Sequence, residues 1–259
     1  MLPYLFQIYG PIYANCYGIA IAISIIIFAN LLNRDPIRAK LITGHQLQTI
    51  IMWCILMGII GGRLLWVISN WPITFYEIIE IWEGGFAVLG SIIAILVFLP
   101  FYLHKHQIPT LPLLDLASIY APLLQSIARL GCFLAGCCYG MPTNHFWGII
   151  YTHPDVAVPC ELKNIPIHPT QLYSAGILFV IFLLMRNFFS KYFKQPGQLL
   201  AIYLMLSSTE RFLVDFWRAD QEFFDAEFLQ FLSFHQWISM VIWISAGTFF
   251  WYQSKKARL

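Results

Sequence analysis

The stretch LPLLDLASIYAPLLQSIA, residues 111–128, followed by RLGCFLAGCCYG, residues 129–140, decides the class of fold. The first part is predominantly apolar and close to the roughly 20 residues that a helix needs to cross a bilayer. The second part places one arginine, three glycines and three cysteines at the end of that run. A charge in this position is costly unless it is paired, reaches the interface or lines a wet cavity. The stretch therefore predicts a membrane helix that ends at a functional site.

The composition of the whole chain supports a membrane protein. Of its 259 residues, 59% are hydrophobic and only 11% are charged, and the mean hydropathy is +0.69. A water-soluble surface is not built from such a composition. The net charge of +2 and the absence of a basic run argue against a nucleic-acid partner.

Seven apolar stretches predict an all-α integral membrane protein with seven transmembrane helices. They are residues 13–32, 48–69, 86–103, 111–128, 168–187, 197–217 and 234–252. The first stretch is expected to remain as a helix, because no basic residue precedes it as in a signal peptide. The polar insertion 139–167, between helices four and five, predicts a small extracytoplasmic cap. No linker or repeat divides the chain, so residues 1–259 are expected to form a single transmembrane domain.

The distribution of charge predicts the orientation. Ten of the fifteen basic residues fall at one set of helix ends: Arg34, Arg38, Lys40, Lys105, Arg186, Lys191, Lys194, Lys255, Lys256 and Arg258. The opposite ends collect acidic residues: Glu77, Glu80, Glu83, Asp155, Glu161, Asp220, Glu222, Asp225 and Glu227. Basic residues concentrate in cytoplasmic loops. The N-terminus is therefore expected outside and the C-terminus in the cytoplasm.

Four arginines remain within or at the edge of predicted helices: Arg63, Arg129, Arg211 and Arg218. Each is a functional candidate, although interfacial snorkelling or structural pairing would also explain one of them. Arg211, Asp215 and Arg218 are spaced four and three apart, which places them on one face of a helix. An aspartate between two arginines can neutralise one and leave the other to hold a phosphate. The three residues could equally form an ion pair for helix packing.

The small and sulfur-containing residues of the signature stretch permit several interpretations. Gly131 and Gly136 let a backbone or a lipid headgroup approach closely, and small residues are also common at membrane-helix contacts. Cysteines and histidines in this region lack CxxC or HxxxH spacing, so no metal site is expected. A disulfide between Cys160 and either Cys137 or Cys138 is favoured instead, because the outer face of a bacterial membrane is oxidising.

The stretch HPTQLYS, residues 168–174, begins the fifth predicted helix. Proline suits the first turn of a helix, and His168, Gln171 and Tyr173 bring hydrogen-bonding groups to the interface. Histidine and tyrosine in this position are also common as simple interfacial anchors.

Taken in order, the following motifs resemble the bacterial prolipoprotein diacylglyceryl transferase family: IYGPIYANCYG, GGRLLWVISN, WEGGFAVLG, RLGCFLAGCCYG, HPTQLYS and RFLVDFWRADQEF. The resemblance covers almost the whole chain and implies that family's seven-helix arrangement. It also implies the reaction, in which the diacylglyceryl group of phosphatidylglycerol moves to the lipobox cysteine of a prolipoprotein and glycerol phosphate is released. The expected location is the bacterial plasma (inner) membrane, among membrane lipids, and no cofactor is expected.

The resemblance and the residue analysis together assign roles. The expected catalytic residues are Arg129, Arg211, Tyr17 and His168. The expected substrate-binding residues are Arg63, Arg218, Gln171, Tyr173, Gly131, Gly136 and Asp215. Arg129 and Arg211 would stabilise negative charge on the leaving oxygen, and His168 or a carboxylate would accept the proton of the thiol.

The chain departs from the family pattern at several polar positions. The usual signature RxGNFxNxExxG has asparagine, asparagine and glutamate where this chain has Cys132, Ala135 and Cys137. Two alternatives follow. One is a paralogue of the same fold that acts on another acceptor or through the thiols of Cys132 and Cys137. The other is a lipid-binding or transport protein without catalysis, which inverted repeats would support, although none is detected.

Overall fold

The computed structural model describes residues 4–9, 12–72, 85–224 and 230–256. The described chain is mostly helical, and it opens with two short strands and five helices: β1 (Tyr4–Tyr9), β2 (Ile12–Asn15), α1 (Cys16–Arg34), α2 (Pro36–Leu41), α3 (Gly44–Ser69), α4 (Val88–Lys105) and α5 (Thr110–Ala135). A 3₁₀ turn (Cys160–Leu162) precedes the remaining helices: α6 (Thr170–Leu184), a π turn (Met185–Phe189), α7 (Ser190–Tyr192), α8 (Gln198–Asp215) and α9 (Phe234–Lys256).

The prediction of helices alone missed one element. β1 and β2 pair as a two-stranded sheet directly before α1. Part of the charge distribution used to predict the orientation falls on Glu77, Glu80, Glu83, Asp225, Glu227 and Arg258, which lie outside the described residues.

Five of the described helical segments are long and apolar enough to cross a membrane: Cys16–Arg34, Gly44–Ser69, Val88–Lys105, Thr110–Ala135 and Thr170–Tyr192. Between 11% and 44% of each span is buried inside the protein. Most residues of these spans are therefore not fully buried by the protein, which fits a membrane protein. The sixth and seventh predicted helices form as α8 and α9 but are not among these five spans.

The chain forms two compact units, one of residues 1–6, 14–28 and 114–259 and the other of residues 7–13 and 29–113. In the second unit, α3 and α4 pack through glycines. A Cβ atom added at Gly61 would lie 2.3 Å from the Cβ of Ala94, and one at Gly90 would lie 2.3 Å from the carbonyl oxygen of Gly61. Only glycine permits this approach of two membrane helices. The Ser91 hydroxyl, on the same seam, donates to the Gly58 carbonyl at 2.7 Å.

In the first unit, Asp115 of α5 positions the start of α8. Its carboxylate accepts hydrogen bonds from the backbone N–H groups of Gly197 at 2.6 Å and Leu200 at 2.8 Å. Gly197 itself has a φ of +91°, which favours glycine. A carboxylate at the N-terminus of a helix satisfies free N–H groups and complements the helix dipole. The far end of α8 carries the residues of the candidate site.

The irregular segment between α5 and α6 has a small core of its own. Tyr151, Val156, Val158 and Ile167 are buried together in it. The backbones of Ile149 and Ile167 bond to each other in both directions, at 3.0 and 2.9 Å. The segment between α5 and α6 is therefore an ordered element of this unit, and its role as an extracytoplasmic cap stays a prediction.

Candidate functional site

Arg129 lies near the end of α5, and the way this helix ends builds the site around it. The helix stops at Ala135, and Gly136 adopts a φ of +77°. Its N–H donates to the Cys132 carbonyl at 2.9 Å, as in the left-handed turns that commonly end helices. Cys138 also has a positive φ, of 58°. These turns fold Cys137 and Cys138 back toward the helix.

The result is a three-cysteine cluster formed by Cys132, Cys137 and Cys138. Their Sγ atoms all lie within 4.8 Å of one another. All six cysteines of the chain are free thiols, so the disulfide predicted between Cys160 and Cys137 or Cys138 is wrong. Cys160 is exposed at the 3₁₀ turn, whereas Cys137 packs against Cys132.

Two guanidinium groups lie beside this cluster. The Arg129 Nη1 atom is 3.5 Å from the Cys138 Sγ atom, to which it donates a hydrogen bond. Hydrogen bonds with the Cys132 and Cys137 thiols, together with the charges of Arg129 and Arg218, lower the pKa of the Cys138 thiol. The structure therefore brings Arg129 and Arg218 to one thiol.

Asp215 pairs with only one of the two arginines expected to share it. Its Oδ1 atom lies 3.8 Å from Arg211 Nη2, and its other oxygen accepts a hydrogen bond from the Ser233 hydroxyl. Arg218 forms a two-pronged contact with Asp220 instead, at 2.7 and 2.5 Å. The helix ends at Asp215, so Arg218 lies beyond it and does not continue its face.

Glu210 is a site residue to which the sequence interpretation assigned no role. It is 4% exposed, accepts a hydrogen bond from the Ser174 hydroxyl of α6 and interacts electrostatically with Arg129 and Arg218. A carboxylate next to Arg211 in an apolar helix is the signal that points to it, because such a group is expensive to bury without a partner.

Two residues of the HPTQLY motif form hydrogen bonds to the backbone of the cysteine turn. Thr170 donates from its hydroxyl to the Cys138 carbonyl, and Gln171 donates from Nε2 to the Cys137 carbonyl, both at 2.7 Å. Gln171 is 1% exposed, and its Oε1 atom has no hydrogen-bond partner in the described part of the chain. The motif therefore fixes the backbone of the cluster and leaves one buried acceptor atom near it.

His168 and Tyr173 belong to a ring of aromatic groups next to this turn. The Tyr173 hydroxyl lies 3.1 Å from His168 Nδ1 and accepts a hydrogen bond from the Trp147 indole at 2.8 Å. Trp147 stacks on His145, with ring centroids 4.4 Å apart. Partial burial and the neighbouring His145 lower the pKa of His168.

These aromatic groups form one end of a cavity of about 990 Å³, the α6–α8 groove. Glu210 and Trp217 also line it at this end, and its remaining walls are largely apolar. They include Ile177, Val180 and Leu184 from α6 and Leu206 and Leu213 from α8. A polar end and a long apolar body suit an amphipathic ligand.

Tyr17 and Gly131 lie where α1 meets α5. A Cβ atom at Gly131 would lie 2.7 Å from the Ala20 Cβ and 3.3 Å from the Tyr17 Cα. Tyr17 interacts electrostatically with Arg129 and the three-cysteine cluster. Gly131 thus allows the close packing of α1 and α5 that places Tyr17 beside the site. Gly136 contributes through the left-handed turn that ends α5.

Arg63 belongs to the other compact unit. Its Nη1 atom donates to the Gly85 carbonyl at 3.0 Å, and its guanidinium lies 4.5 Å from the centre of the Trp66 ring. It is 9% exposed. Within its unit it is a buried cation held by a carbonyl and an aromatic face.

The fold and the site define an integral membrane protein in which the cations of Arg129 and Arg218 lie in the same unit as a largely apolar groove. The family model described as prolipoprotein diacylglyceryl transferase matches residues 3–252. The chain belongs to this family, as its sequence motifs predicted.

Relatives in several bacteria support this membership. A phosphatidylglycerol–prolipoprotein diacylglyceryl transferase of Clostridium tetani is 34% identical over 225 residues, covering 85% of this chain and 86% of the relative. One of Finegoldia magna is 30% identical over 256 residues, covering 97% and 95%. One of Bordetella parapertussis is 28% identical over 242 residues, covering 89% and 87%.

Proposed function

We propose that this protein transfers the diacylglyceryl group of phosphatidylglycerol to the cysteine thiol of a prolipoprotein, releasing glycerol phosphate. Family membership supports the reaction. The observation that carries the assignment of the site is Arg129, a cation that contacts a thiol beside Glu210 and Arg218.

Arg129 is the main group that stabilises the leaving phosphate. When the bond between the glycerol carbon and the phosphate oxygen breaks, negative charge grows on that oxygen. A fixed guanidinium in a dry site stabilises this charge without reorganisation of solvent. Arg218 adds positive charge nearby, although Asp220 neutralises part of it. Arg211, paired with Asp215, is a further candidate for phosphate contacts. Arg63 remains a predicted substrate-binding residue within its own unit.

The α6–α8 groove is the binding place for an acyl chain. From Leu172 to Leu184, its α6 wall extends about 18 Å at 1.5 Å per residue. The lipid headgroup would lie at the end with His168 and Tyr173, where Tyr17 and Gln171 orient it. The apolar chain would run toward Leu184. Glu210 and His168 both line this groove and are the candidate acceptors for the proton of the thiol.

The protein spans a bacterial plasma membrane with its N-terminus outside and its C-terminus in the cytoplasm. The five long apolar segments and the predicted spans at α8 and α9 make seven. Basic residues near α2 and at the end of α9 support this orientation. Residues 139–167 then form a cap on the outer face.

The test is a transfer assay with the purified protein, phosphatidylglycerol vesicles and a lipobox peptide. Release of glycerol phosphate, together with a peptide heavier by one diacylglyceryl group, is expected. For substitutions of the site arginines, such as Arg129→Ala, the matched control is Arg186→Ala. Arg186 is exposed beyond the opposite end of α6. If neither product forms while the protein remains monodisperse, the proposed function is wrong.

A further inference from the structure

We propose that Cys132, Cys137 and Cys138 bind a single thiophilic cation, Zn²⁺, and that the bound ion activates the acceptor thiol. The second half of this proposal rests on the proposed transfer function, whereas the first half does not. The spacing of these cysteines in the sequence does not indicate such a site. It is created by the turn at the end of α5.

The positions of the sulfur atoms suit a zinc ion. A Zn–S bond is about 2.3 Å long, so two sulfurs of a tetrahedral site lie about 3.8 Å apart. The three Sγ atoms already lie within 4.8 Å of one another. Shifts of about 1 Å, within the range of small side-chain movements, would complete the ligand set.

The backbone around the three ligands is held in place. Gly136 and Cys138 adopt positive φ angles, and the Cys137 and Cys138 carbonyls accept hydrogen bonds from Gln171 and Thr170. Cys132 belongs to α5 itself. Metal sites gain affinity when their ligands are oriented before the ion arrives.

The charges near the cluster match a zinc trithiolate. Three thiolates and one Zn²⁺ carry a net charge of −1. The Arg129 guanidinium already donates to Cys138 Sγ, and Arg218 interacts electrostatically with the same sulfur. Such N–H groups donate to metal-bound sulfur and offset its charge. A zinc trithiolate would therefore add one negative charge beside two cations that Glu210 and Asp220 already neutralise in part.

Three protein ligands leave a fourth position open on the ion, which is the arrangement of catalytic zinc sites. The acceptor cysteine would bind there as a thiolate, and its proton would pass to Glu210 or His168 at the adjoining groove. The sulfur then attacks the glycerol carbon, and the C–O bond breaks with its electron pair going to glycerol phosphate. The metal keeps its oxidation state, so no oxidant or reductant is needed.

Zinc affinity of the purified, reduced protein tests the site without any substrate. Competition with a chromophoric chelator should give one Zn²⁺ per chain. Removing a partner outside the ligand set typically costs 10-fold to 100-fold in affinity, so we expect losses of at least about 100-fold in Cys132→Ser, Cys137→Ser and Cys138→Ser. Cys54→Ser and Cys160→Ser, which remove cysteines outside the cluster, should bind as the parent does. Equal binding in all five variants would overturn the site.

A second measurement avoids variants that fold poorly. In the unaltered protein, Zn²⁺ should protect Cys137 and Cys138, the two partly exposed thiols of the cluster, from maleimide. Mass spectrometry maps the label, and the exposed Cys160 should react with and without the ion. Unchanged labelling of the cluster in saturating Zn²⁺ would refute the proposal.

The activating role is tested separately. Transfer should fall at least about tenfold when zinc is removed by a chelator and return when zinc is restored. Transfer at the full rate without zinc would overturn activation, even if zinc binds. Zinc binding in a protein that transfers nothing would instead count against the proposed function and leave the metal site intact.

Discussion

The Arg129 guanidinium could be identified as a site residue from the sequence alone. Arg129 stands out in the sequence because a cation at the end of an apolar run needs a partner, and the structure supplies Cys138 and Glu210. The ion-pair partner of Asp215 could not be predicted from the sequence in the same way. It depends on the residue where α8 ends, and a shift of one turn decides whether Arg218 shares its helical face.

Replacing Arg129 tests its proposed role directly. Arg129→Ala should lower transfer at least about 100-fold, because removal of one donor from a charge-stabilising site typically costs 10² to 10³ in rate. The transfer rate of Arg129→Lys should fall between those of the parent and Arg129→Ala, because lysine keeps the charge but lacks the planar guanidinium. The release of glycerol phosphate measures both. Near-parental rates in Arg129→Ala would place the phosphate elsewhere.

The lowered pKa of His168 predicts how the free energy of unfolding changes with pH. Burial and the neighbouring His145 lower its pKa below the ordinary 6.5, so the unfolded chain takes up a proton here more readily than the folded protein. Stability is therefore expected to fall as the pH drops below about 6.5. The melting temperature of the detergent-solubilised protein should show this between pH 8 and pH 5. His168→Gln should have a shallower dependence; an identical slope would exclude this histidine as the cause.

At the scale of elements, apolar run length predicted the position of most helices. Segment length and hydropathy are properties of consecutive residues, and membrane helices follow them closely. The three-cysteine cluster was not predictable in this way. It requires left-handed turns at Gly136 and Cys138, and these orient residues by backbone angles that no spacing rule reports. The β1–β2 pair was missed because its two strands are short.

The contact between α1 and α5 yields a stability prediction. Gly131→Ala would bring a new Cβ within 2.7 Å of Ala20, and such overpacking typically costs about 1–3 kcal/mol. The matched control is Gly176→Ala in α6, where a Cβ meets nothing within 4 Å and helix propensity improves. Thermal melting in detergent should show a drop for Gly131→Ala only. Equal melting temperatures would mean that α1 and α5 can move apart to accommodate the added methyl group without loss of stability.

Filling the α6–α8 groove tests the proposed acyl-chain site. Val180 lines this groove, and Leu183, on the same helix, is similarly exposed but is not part of its lining. Val180→Trp should raise the KM for phosphatidylglycerol about tenfold, which corresponds to about 1.4 kcal/mol of lost binding. Leu183→Trp should leave the KM unchanged. The same increase in both variants would assign the effect to tryptophan and not to the groove.

Composition and the order of the motifs are the features that the chain offers as a whole. Composition was sufficient to predict a membrane protein, and motif order was sufficient to predict the family. The division into two compact units left no mark in the sequence, because no change in composition accompanies it.

The orientation of the protein in the membrane can be tested by labelling its thiols. Cys160 is exposed in the proposed outer cap, so a membrane-impermeant maleimide should label it in intact spheroplasts. Mass spectrometry identifies the labelled residue, so Cys160→Ser should remove the label from that peptide even though Cys137 and Cys138 are also partly exposed. In the Cys160→Ser background, Lys191→Cys places a thiol on the proposed inner face and should react only after lysis. Labelling in the reverse order would invert the topology.

The contacts between main-chain atoms at this site bear on how the protein could diverge. Met141 donates to the Trp217 carbonyl and Ala219 to the Tyr139 carbonyl, and the Gly140 backbone pairs with that of Arg218. Peptide groups are common to every amino acid, so a scaffold joined through them keeps its shape when neighbouring side chains are exchanged. Thiols such as those of Cys132, Cys137 and Cys138 can therefore be introduced at this turn without loss of the surrounding backbone structure.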